Sequence, residues 1–317
     1  MTHVEIMPKR PGIVNRYVHL LEYIVLRLTG GFLGIIPVTW VYVFTNFLGW
    51  IAFSCIGIRR DVTMENLRRA YAKEKSEQEL ERIARASYTN IGMTFIEMVL
   101  MNGLKRKIPS MVDMSEADIM KRKLDAGRGM ILVSGHFGSW ELNGAAIGLM
   151  GIPVTVVGRR QSNEYVDRYV TEVRRGFGMK MISHGVSIRH LVKALKVGEA
   201  VGLISDQDAG KKGVFVTFFG RKASAPSGAA QLALKYHAPI VVSMTKRISP
   251  GRYKSIIREV AVYPDDSIES VTQRYTTVME DIIRENPEQY FWMHRRWKTR
   301  PPGGADCNEG TIPAEAE

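Results

Sequence analysis

The chain has few cysteines and no histidine pair of the kind that binds zinc. Cys55 and Cys307 are the only cysteines among 317 residues, too few for a disulfide framework, which points to a reducing compartment or at least to a fold that needs no disulfides. Zinc-binding helices carry two histidines four residues apart with a glutamate beside the first. No such pair occurs, and neither cysteine belongs to a ligand pattern. The sequence therefore argues against a metal site.

Acidic residues are also in the minority. Lys and Arg total 44 against 32 Asp and Glu, which gives a net charge of +12 and calls for an acidic partner. Nucleic acid and an anionic membrane both qualify. However, the chain has no basic helix, zinc finger or aromatic RNA-binding signature. We therefore expect a membrane partner and no nucleic acid.

Charge is absent altogether from residues 28–58, a run of 31 residues that exceeds the ~20 needed to span a bilayer. Gly30, Gly31, Gly34 and Pro37 interrupt it, so two amphipathic helices that lie on or dip into one leaflet fit better than one straight span. Arg59 and Arg60 follow, suited to anionic headgroups. The alternative is that this run is the buried first layer of a soluble core.

Four segments are predicted from these shifts in composition. Residues 1–16 are a loose lead without a signal-peptide cleavage site, and residues 17–60 are the membrane-associated helical segment. Residues 61–302 form one α/β domain, and the acidic tail at 303–317 is expected to be disordered. A capping box at Ser76–Glu79 starts a long helix to about residue 102, in which Glu97 is interpreted as a solvated edge residue rather than a buried carboxylate.

From residue 129 onward, strand-like and helix-like segments alternate. Short apolar runs near residues 129–135, 154–157, 179–182 and 200–205 alternate with helical patterns at 141–150, 162–177 and 187–196. Further strands are predicted at 214–218, 240–245 and 253–262, and further helices at 227–236 and 268–285. This rhythm predicts an α/β fold with a mostly parallel central sheet flanked by helices.

His136 is the main candidate for chemistry, because it directly follows a predicted buried strand, where open α/β sheets expose their sites. A histidine titrates near neutrality and becomes an effective base when an acceptor holds its second ring nitrogen. Glu141, five residues on, is the predicted acceptor. The alternative is that His136 caps a helix and Glu141 is solvated.

Other candidates lie at strand ends and in aromatic runs. Asp206 is predicted to position a substrate sugar or to steady an arginine, whereas Asp208 is interpreted as a turn residue. Arg159 and Arg174 suit bidentate phosphate binding, although they could equally be solvated charges. Phe215, Phe218 and Phe219 are more typical of core than of an acyl groove.

The motif from His136 to Glu141 resembles the HX4D/E signature of glycerolipid acyltransferases. With residues 205–210, 214–220 and above all 287–301, the chain is similar to the bacterial lipid A lauroyl/myristoyl transferases, from about Arg10 to Pro302. Related branches acylate other glycolipids, such as mannosylated phosphatidylinositol.

The resemblance implies an O-acyltransferase at the cytoplasmic face of the bacterial inner membrane. His136 would be the general base and Glu141 its partner; the donor would be acyl carrier protein or coenzyme A thioester, the acceptor an anionic glycolipid, and no cofactor or metal is expected. The implied substrate-binding residues are Arg159, Arg174, Asp206, Gln207, Arg295 and Arg296. For the segment around Arg295 and Arg296, structural closure of the domain is the alternative to phosphate binding.

Two functions from other classes remain open at this point. A lipid hydrolase would use Ser139 as nucleophile, although no G-x-S-x-G elbow surrounds it. A non-catalytic lipid-binding protein would bind glycolipid without needing Glu141.

Overall fold

The computed structural model describes residues 13–158, 160–183 and 188–302, and its first four helices come before the central sheet. The long helix α4 begins with the capping box expected at Ser76, whose hydroxyl accepts from the Glu79 amide while the Glu79 carboxylate accepts from the Ser76 amide. These helices are α1 Ile13–Leu33, α2 Val38–Trp50, continued by a π-helical turn Ile51–Cys55, α3 Arg60–Tyr71 and α4 Glu77–Leu104.

A seven-stranded sheet of order β1-β9-β8-β2-β5-β3-β4 forms the centre of the fold. All neighbours are parallel except β8 and β9, which pair antiparallel. The strands are β1 Val112–Asp113, β2 Met130–Ser134, β3 Val154–Gly158, β4 Met179–Ser183, β5 Ala200–Ile204, β8 Ile240–Ser249 and β9 Arg252–Val260; β6 Val214–Phe218 and β7 Arg221–Ala225 form a separate hairpin.

Helices cover both faces of this sheet, as the predicted fold class requires. Along β2, Ile131 and Val133 pack into one apolar cluster while Met130 and Leu132 pack into another, the alternation expected of a strand buried on both sides. The remaining helices are α5 Ile108–Met111, α6 Asp118–Asp125, α7 Trp140–Leu149, α8 Glu164–Gly176, α9 Arg189–Lys196, α10 Gly228–Tyr236 and α11 Ile268–Glu285. The mostly parallel α/β architecture is therefore confirmed.

The apolar amino-terminal run forms two helices, separated where Gly34 and Pro37 interrupt it. Both pack against α4 through small residues: Gly30 of α1 lies against Val99, and Gly49 of α2 lies against the Thr89 backbone. Their outer faces are exposed and apolar, which is not the environment of a buried core layer. By length and composition, one stretch in the described part, Val38–Cys55, is able to cross a membrane, and 22% of it is buried.

Two strands were not expected from the sequence. These are β7, which pairs with β6 in the hairpin, and the two-residue strand β1, which pairs with β9. The tail at residues 303–317 lies outside the described residues.

Candidate active site

His136 and Asp206 form a hydrogen-bonded pair at the carboxyl edge of the sheet. The imidazole Nδ1 lies 2.9 Å from Asp206 Oδ1, and the His136 amide donates to Oδ2 at 2.8 Å. Both residues follow neighbouring parallel strands, β2 and β5, whose last residues Ser134 and Ile204 are paired. A Cβ at Gly135 would lie 3.3 Å from Asp206 Cγ. The carboxylate can therefore approach the turn closely because position 135 has no side chain.

The tautomer of His136 follows from this partner. A carboxylate only accepts hydrogen bonds, so Nδ1 carries the proton and Nε2 is the nitrogen able to accept one. A quarter of the imidazole is exposed, whereas Asp206 is buried. Asp206 therefore orients the imidazole of His136, while part of the ring stays accessible to a substrate.

Burial lowers the pKa of His136, but the charge of Asp206 and its hydrogen bond outweigh that effect, so the pKa is raised above its ordinary value of 6.5. The more distant charge of Glu141 adds to the increase. Burial raises the pKa of Asp206, but the charge and hydrogen bonds of His136 outweigh this effect, and the net shift of the Asp206 pKa is downward. The two shifts are consistent with one mutually stabilised pair.

Glu141 does not hold the imidazole, and that prediction was wrong. It is buried in the first turn of α7, where its carboxylate binds Arg174 of α8 in a bidentate pair, with Nη2 to Oε1 at 2.6 Å and Nε to Oε2 at 3.1 Å. Burial lowers the pKa of the Arg174 guanidinium, but Glu141 outweighs burial and the net shift is upward. Glu141 acts on His136 through its charge alone.

Arg174 lies beside a cleft of about 340 Å³ at the ends of β3 and β4. Among the described residues Glu141 binds Nε and Nη2, so Nη1, with its two N–H groups, is the main donor left for a ligand. Nη1 lies close to Gly158, where a Cβ atom would be 3.5 Å from it. The cleft is lined by four arginines and three acidic residues: Arg160, Arg168, Arg174, Arg175, Glu164, Asp167 and Glu172. Arg159, the other predicted phosphate ligand, lies outside the described residues.

The carboxyl-terminal segment closes over the loop that carries His136. The Phe291 amide donates to the His136 carbonyl at 3.0 Å, and the Phe291 ring lies 5.8 Å from the imidazole. Trp140 also packs edge-on against the imidazole, at 5.2 Å between ring centroids. Two aromatic rings therefore pack against the imidazole of the base.

Arg296 is not placed to bind substrate, which corrects the prediction for that residue. It is 2% exposed, donates to the Ser224 carbonyl and lies over the Phe218 ring. Phe218 and Phe219 are buried core residues, as the preferred interpretation had it, and Trp292 and Trp297 pack among them. This part of the terminal segment therefore packs into the core and closes the domain, as the alternative interpretation had it, while Arg295 is exposed.

The remaining acidic and amide candidates divide clearly. Asp206 forms hydrogen bonds with His136 and interacts with Arg296 through charge, whereas its predicted contact with a substrate sugar stays a prediction. Asp208 is structural, as predicted: it accepts from the Thr299 amide and hydroxyl and from the Gly210 amide. Gln207 lies near the site, with its Nε2 3.5 Å from His136 Nδ1. Because Nε2 and the protonated Nδ1 are both donors, they form no hydrogen bond with each other.

Ser139 is fully buried and donates to Glu97 at 2.5 Å, an environment that excludes it as an accessible nucleophile. Glu97 itself is 3% exposed, so its interpretation as a solvated edge residue was wrong. Among the described residues, no group of three or more His, Cys, Asp or Glu side chains is arranged to hold a metal ion.

The fold and the site define an α/β protein with a histidine–aspartate pair at the carboxyl edge of a parallel sheet and an exposed apolar helical face. Residues 13–299 match the family model described as bacterial lipid A biosynthesis acyltransferase, and the chain belongs to that family. It is therefore an acyltransferase.

Three relatives illustrate the family's range. A lipid A biosynthesis palmitoleoyltransferase of Escherichia coli (strain K12) is 30% identical over 265 residues, covering 81% of this chain and 84% of the relative. A lipid A biosynthesis lauroyltransferase of the same organism is 29% identical with the same coverage. A phosphatidylinositol mannoside acyltransferase of Mycolicibacterium smegmatis is 26% identical over 181 residues, 55% of this chain and 59% of the relative.

Proposed function

We propose that this chain transfers a fatty acyl group from an acyl thioester to a hydroxyl of a lipid A precursor, with His136 as general base. The observation that carries the proposal is the His136–Asp206 pair, in which an accessible imidazole is bound through Nδ1 to a buried carboxylate. The acceptor class is supported by the names of the relatives at 29–30% identity.

In the proposed reaction, His136 Nε2 removes the proton of the acceptor hydroxyl as its oxygen attacks the thioester carbonyl carbon. The tetrahedral intermediate then expels the thiolate, which takes the proton back from the imidazolium. Asp206 stabilises the imidazolium while it exists, as the carboxylate of a catalytic triad does. No acyl-enzyme forms, in keeping with the burial of Ser139.

Charge on the intermediate needs donors near His136. The amides of Gly138 and Ser139 already donate to the carbonyls of Gln289 and Thr245. We therefore assign this task to the first amides of α7, from Trp140 onward, rather than to the loop before it. The positive end of the helix dipole lies at the same place.

The anionic groups of the acceptor are assigned to Arg174, through Nη1, with Glu141 fixing the guanidinium. Arg159 and the exposed Arg295 are proposed as further anion contacts, and Gln207 as a polar contact beside the base. The donor is proposed to be an acyl carrier protein or coenzyme A thioester, with no cofactor.

The exposed apolar face of α1 and α2 is proposed to lie in the cytoplasmic leaflet of the bacterial inner membrane. Trp40, Phe44 and Phe47 are between 47% and 67% exposed, as expected of side chains that contact lipid. Arg59 and Arg60 at the start of α3 and Lys105 directly after α4 are exposed, and they are proposed to meet anionic headgroups. Such a surface brings the site to its lipid acceptor.

A phosphatidylinositol mannoside is the second candidate acceptor, because the mycobacterial relative is named as an acyltransferase for that lipid. Purified protein in vesicles is incubated with an acyl thioester and either a lipid A precursor or a phosphatidylinositol mannoside, and the products are weighed by mass spectrometry. We expect acylation of the lipid A precursor and loss of roughly 100- to 10,000-fold in His136→Ala. Acylation of the mannoside alone would replace the acceptor, and free fatty acid without acceptor would indicate a hydrolase.

A further inference from the structure

A buried ion pair lies beneath the loop that carries His136. Glu97 of α4 and Arg247 of β8 have side chains that are 4% and 6% exposed. Arg247 Nη2 donates to both carboxylate oxygens, at 2.8 and 2.9 Å, and Nε donates to Oε1 at 3.2 Å. Buried ion pairs add little net stability compared with apolar side chains of the same volume. Stabilisation of the fold is therefore not a sufficient explanation for the Glu97–Arg247 ion pair.

Ser139 joins this ion pair directly to the site, beside a second route in which Arg247 Nη1 donates to Asn90 Oδ1. Ser139 lies three residues after His136 and directly before α7, and its hydroxyl donates to Glu97 Oε2 at 2.5 Å. The Ser139 amide donates to the Thr245 carbonyl at 3.0 Å. Ser139 is thus fixed between α4 and β8, and it is the end of the four-residue turn that begins with the base.

Two more residues on the same face of α4 hold this turn. Thr94 donates to the Gly138 carbonyl at 2.7 Å, and Asn90 Nδ2 donates to the same carbonyl at 3.4 Å and to the Gln289 carbonyl at 3.0 Å. Asn90, Thr94 and Glu97 recur at helical spacing. Gly138 has φ +54°, and a Cβ there would lie 1.9 Å from the Thr245 oxygen, so the turn has little room to move.

A neighbouring face of α4 supports the exposed apolar helices. Thr89 donates to Asn46 of α2 at 2.9 Å, and Gly92 lies against Thr45. The helix that holds the catalytic turn is therefore also the helix on which the proposed membrane surface is built.

We propose that Glu97, held by Arg247, is a positioning residue that acts through Ser139 to keep His136 against Asp206. This inference rests on the proposed role of His136 as base. Displacement of a reacting group by about 1 Å can cost on the order of 100-fold in rate. Loss of the Ser139 link is therefore expected to reduce kcat without reducing substrate binding.

The test compares two buried serines in the full-length protein in vesicles. Ser139→Ala removes the link, whereas Ser87→Ala removes a hydroxyl that is equally buried in α4 but donates to the Ala84 carbonyl of its own helix. Each variant loses one buried hydrogen bond, and the bond from Ser139 is the stronger because its acceptor is a carboxylate. We expect Tm to fall by about 2–4 °C in Ser87→Ala and by about twice that in Ser139→Ala. In Ser139→Ala we expect kcat to fall roughly 10- to 100-fold with KM for the acceptor nearly unchanged, and Ser87→Ala to keep wild-type kcat.

The pH profile adds a readout that a purely structural role would not move. If His136 loses contact with Asp206, its pKa falls, and the acidic limb of kcat/KM moves to lower pH in Ser139→Ala. Glu97→Gln keeps an acceptor for Ser139 and should retain more kcat than Glu97→Ala, although it leaves Arg247 without a carboxylate.

Equal kcat in the two serine variants, or an unmoved pH profile in Ser139→Ala, would overturn the positioning role. His136→Ala measured alongside separates the two proposals. An inactive His136→Ala with a normal Ser139→Ala rejects only the positioning role, whereas an active His136→Ala rejects the base itself.

Discussion

His136 and Asp206 each lie two residues beyond a matched pair at the end of neighbouring strands, Ser134 of β2 and Ile204 of β5. This register alone brings two residues that are 70 positions apart to 2.9 Å. The carboxylate that serves the imidazole therefore comes from the next strand in the sheet, not from the helix that follows the histidine. Glu141 is instead the partner of Arg174.

Removal of the charge at Asp206 should alter the pH dependence of acyl transfer. The base is active when neutral, so the rate rises as pH passes upward through the raised pKa of His136. In Asp206→Asn that pKa falls, the acidic limb of kcat/KM moves to lower pH, and the plateau rate drops by roughly 100- to 10,000-fold. Rate measurements between pH 5 and 9 check both effects.

Asp208→Asn is the matched control, because Asp208 binds Thr299 and Gly210 and not the imidazole. It should lower Tm while the pH profile stays in place. A displaced profile in Asp208→Asn, or an unchanged one in Asp206→Asn, would contradict the assignment of Asp206 to His136.

The Glu141–Arg174 pair should affect binding of the acceptor more than the proton transfer. Arg174→Gln removes the proposed phosphate contact, and we expect the KM for an anionic glycolipid to rise about tenfold, the effect of ~1.4 kcal/mol. Kinetics with a matched acceptor that lacks the phosphate check the cause, since the variant and the wild type should then have similar KM values. A loss confined to kcat with both acceptors would count against phosphate binding by Arg174.

Arg295 and Arg296 should differ sharply although they are adjacent. Arg296→Met removes the buried donor to the Ser224 carbonyl and leaves that carbonyl unpaired, and we expect a loss of stability of about 1–3 kcal/mol. Arg295→Met changes an exposed residue and should leave the Tm within about 1 °C of wild type. Thermal unfolding of both variants compares them directly; similar Tm values would contradict the structural role of Arg296.

Exposed aromatic residues of α2 should control attachment to lipid. Phe44→Ser together with Phe47→Ser removes about half-exposed rings from the proposed membrane face, and we expect weaker flotation with anionic vesicles and easier release by carbonate. Val197→Ser, at an exposed site beyond the end of α9, is the control and should float as wild type does. Equal flotation of both variants would place the membrane contact elsewhere.

Local patterns in the sequence determined much of this protein. The buried run before His136, the capping box at Ser76 and the break at Pro37 depend on residues close together in the chain, and each appears where the pattern indicated. The alternation of strands and helices was sufficient to predict a mostly parallel sheet, because parallel strands need crossover helices.

Only the tertiary structure decided which strands are neighbours and which charges are buried. The pairing of β2 with β5 depends on how helices pack across the whole sheet, so the choice of Asp206 over Glu141 as the imidazole's partner had no local signal. Glu97 and Arg296 look like surface charges in sequence because their partners, Arg247 and the Ser224 carbonyl, are 150 and 72 residues away. A charged side chain is buried only where distant groups can bind it, and the fold alone brings those groups together.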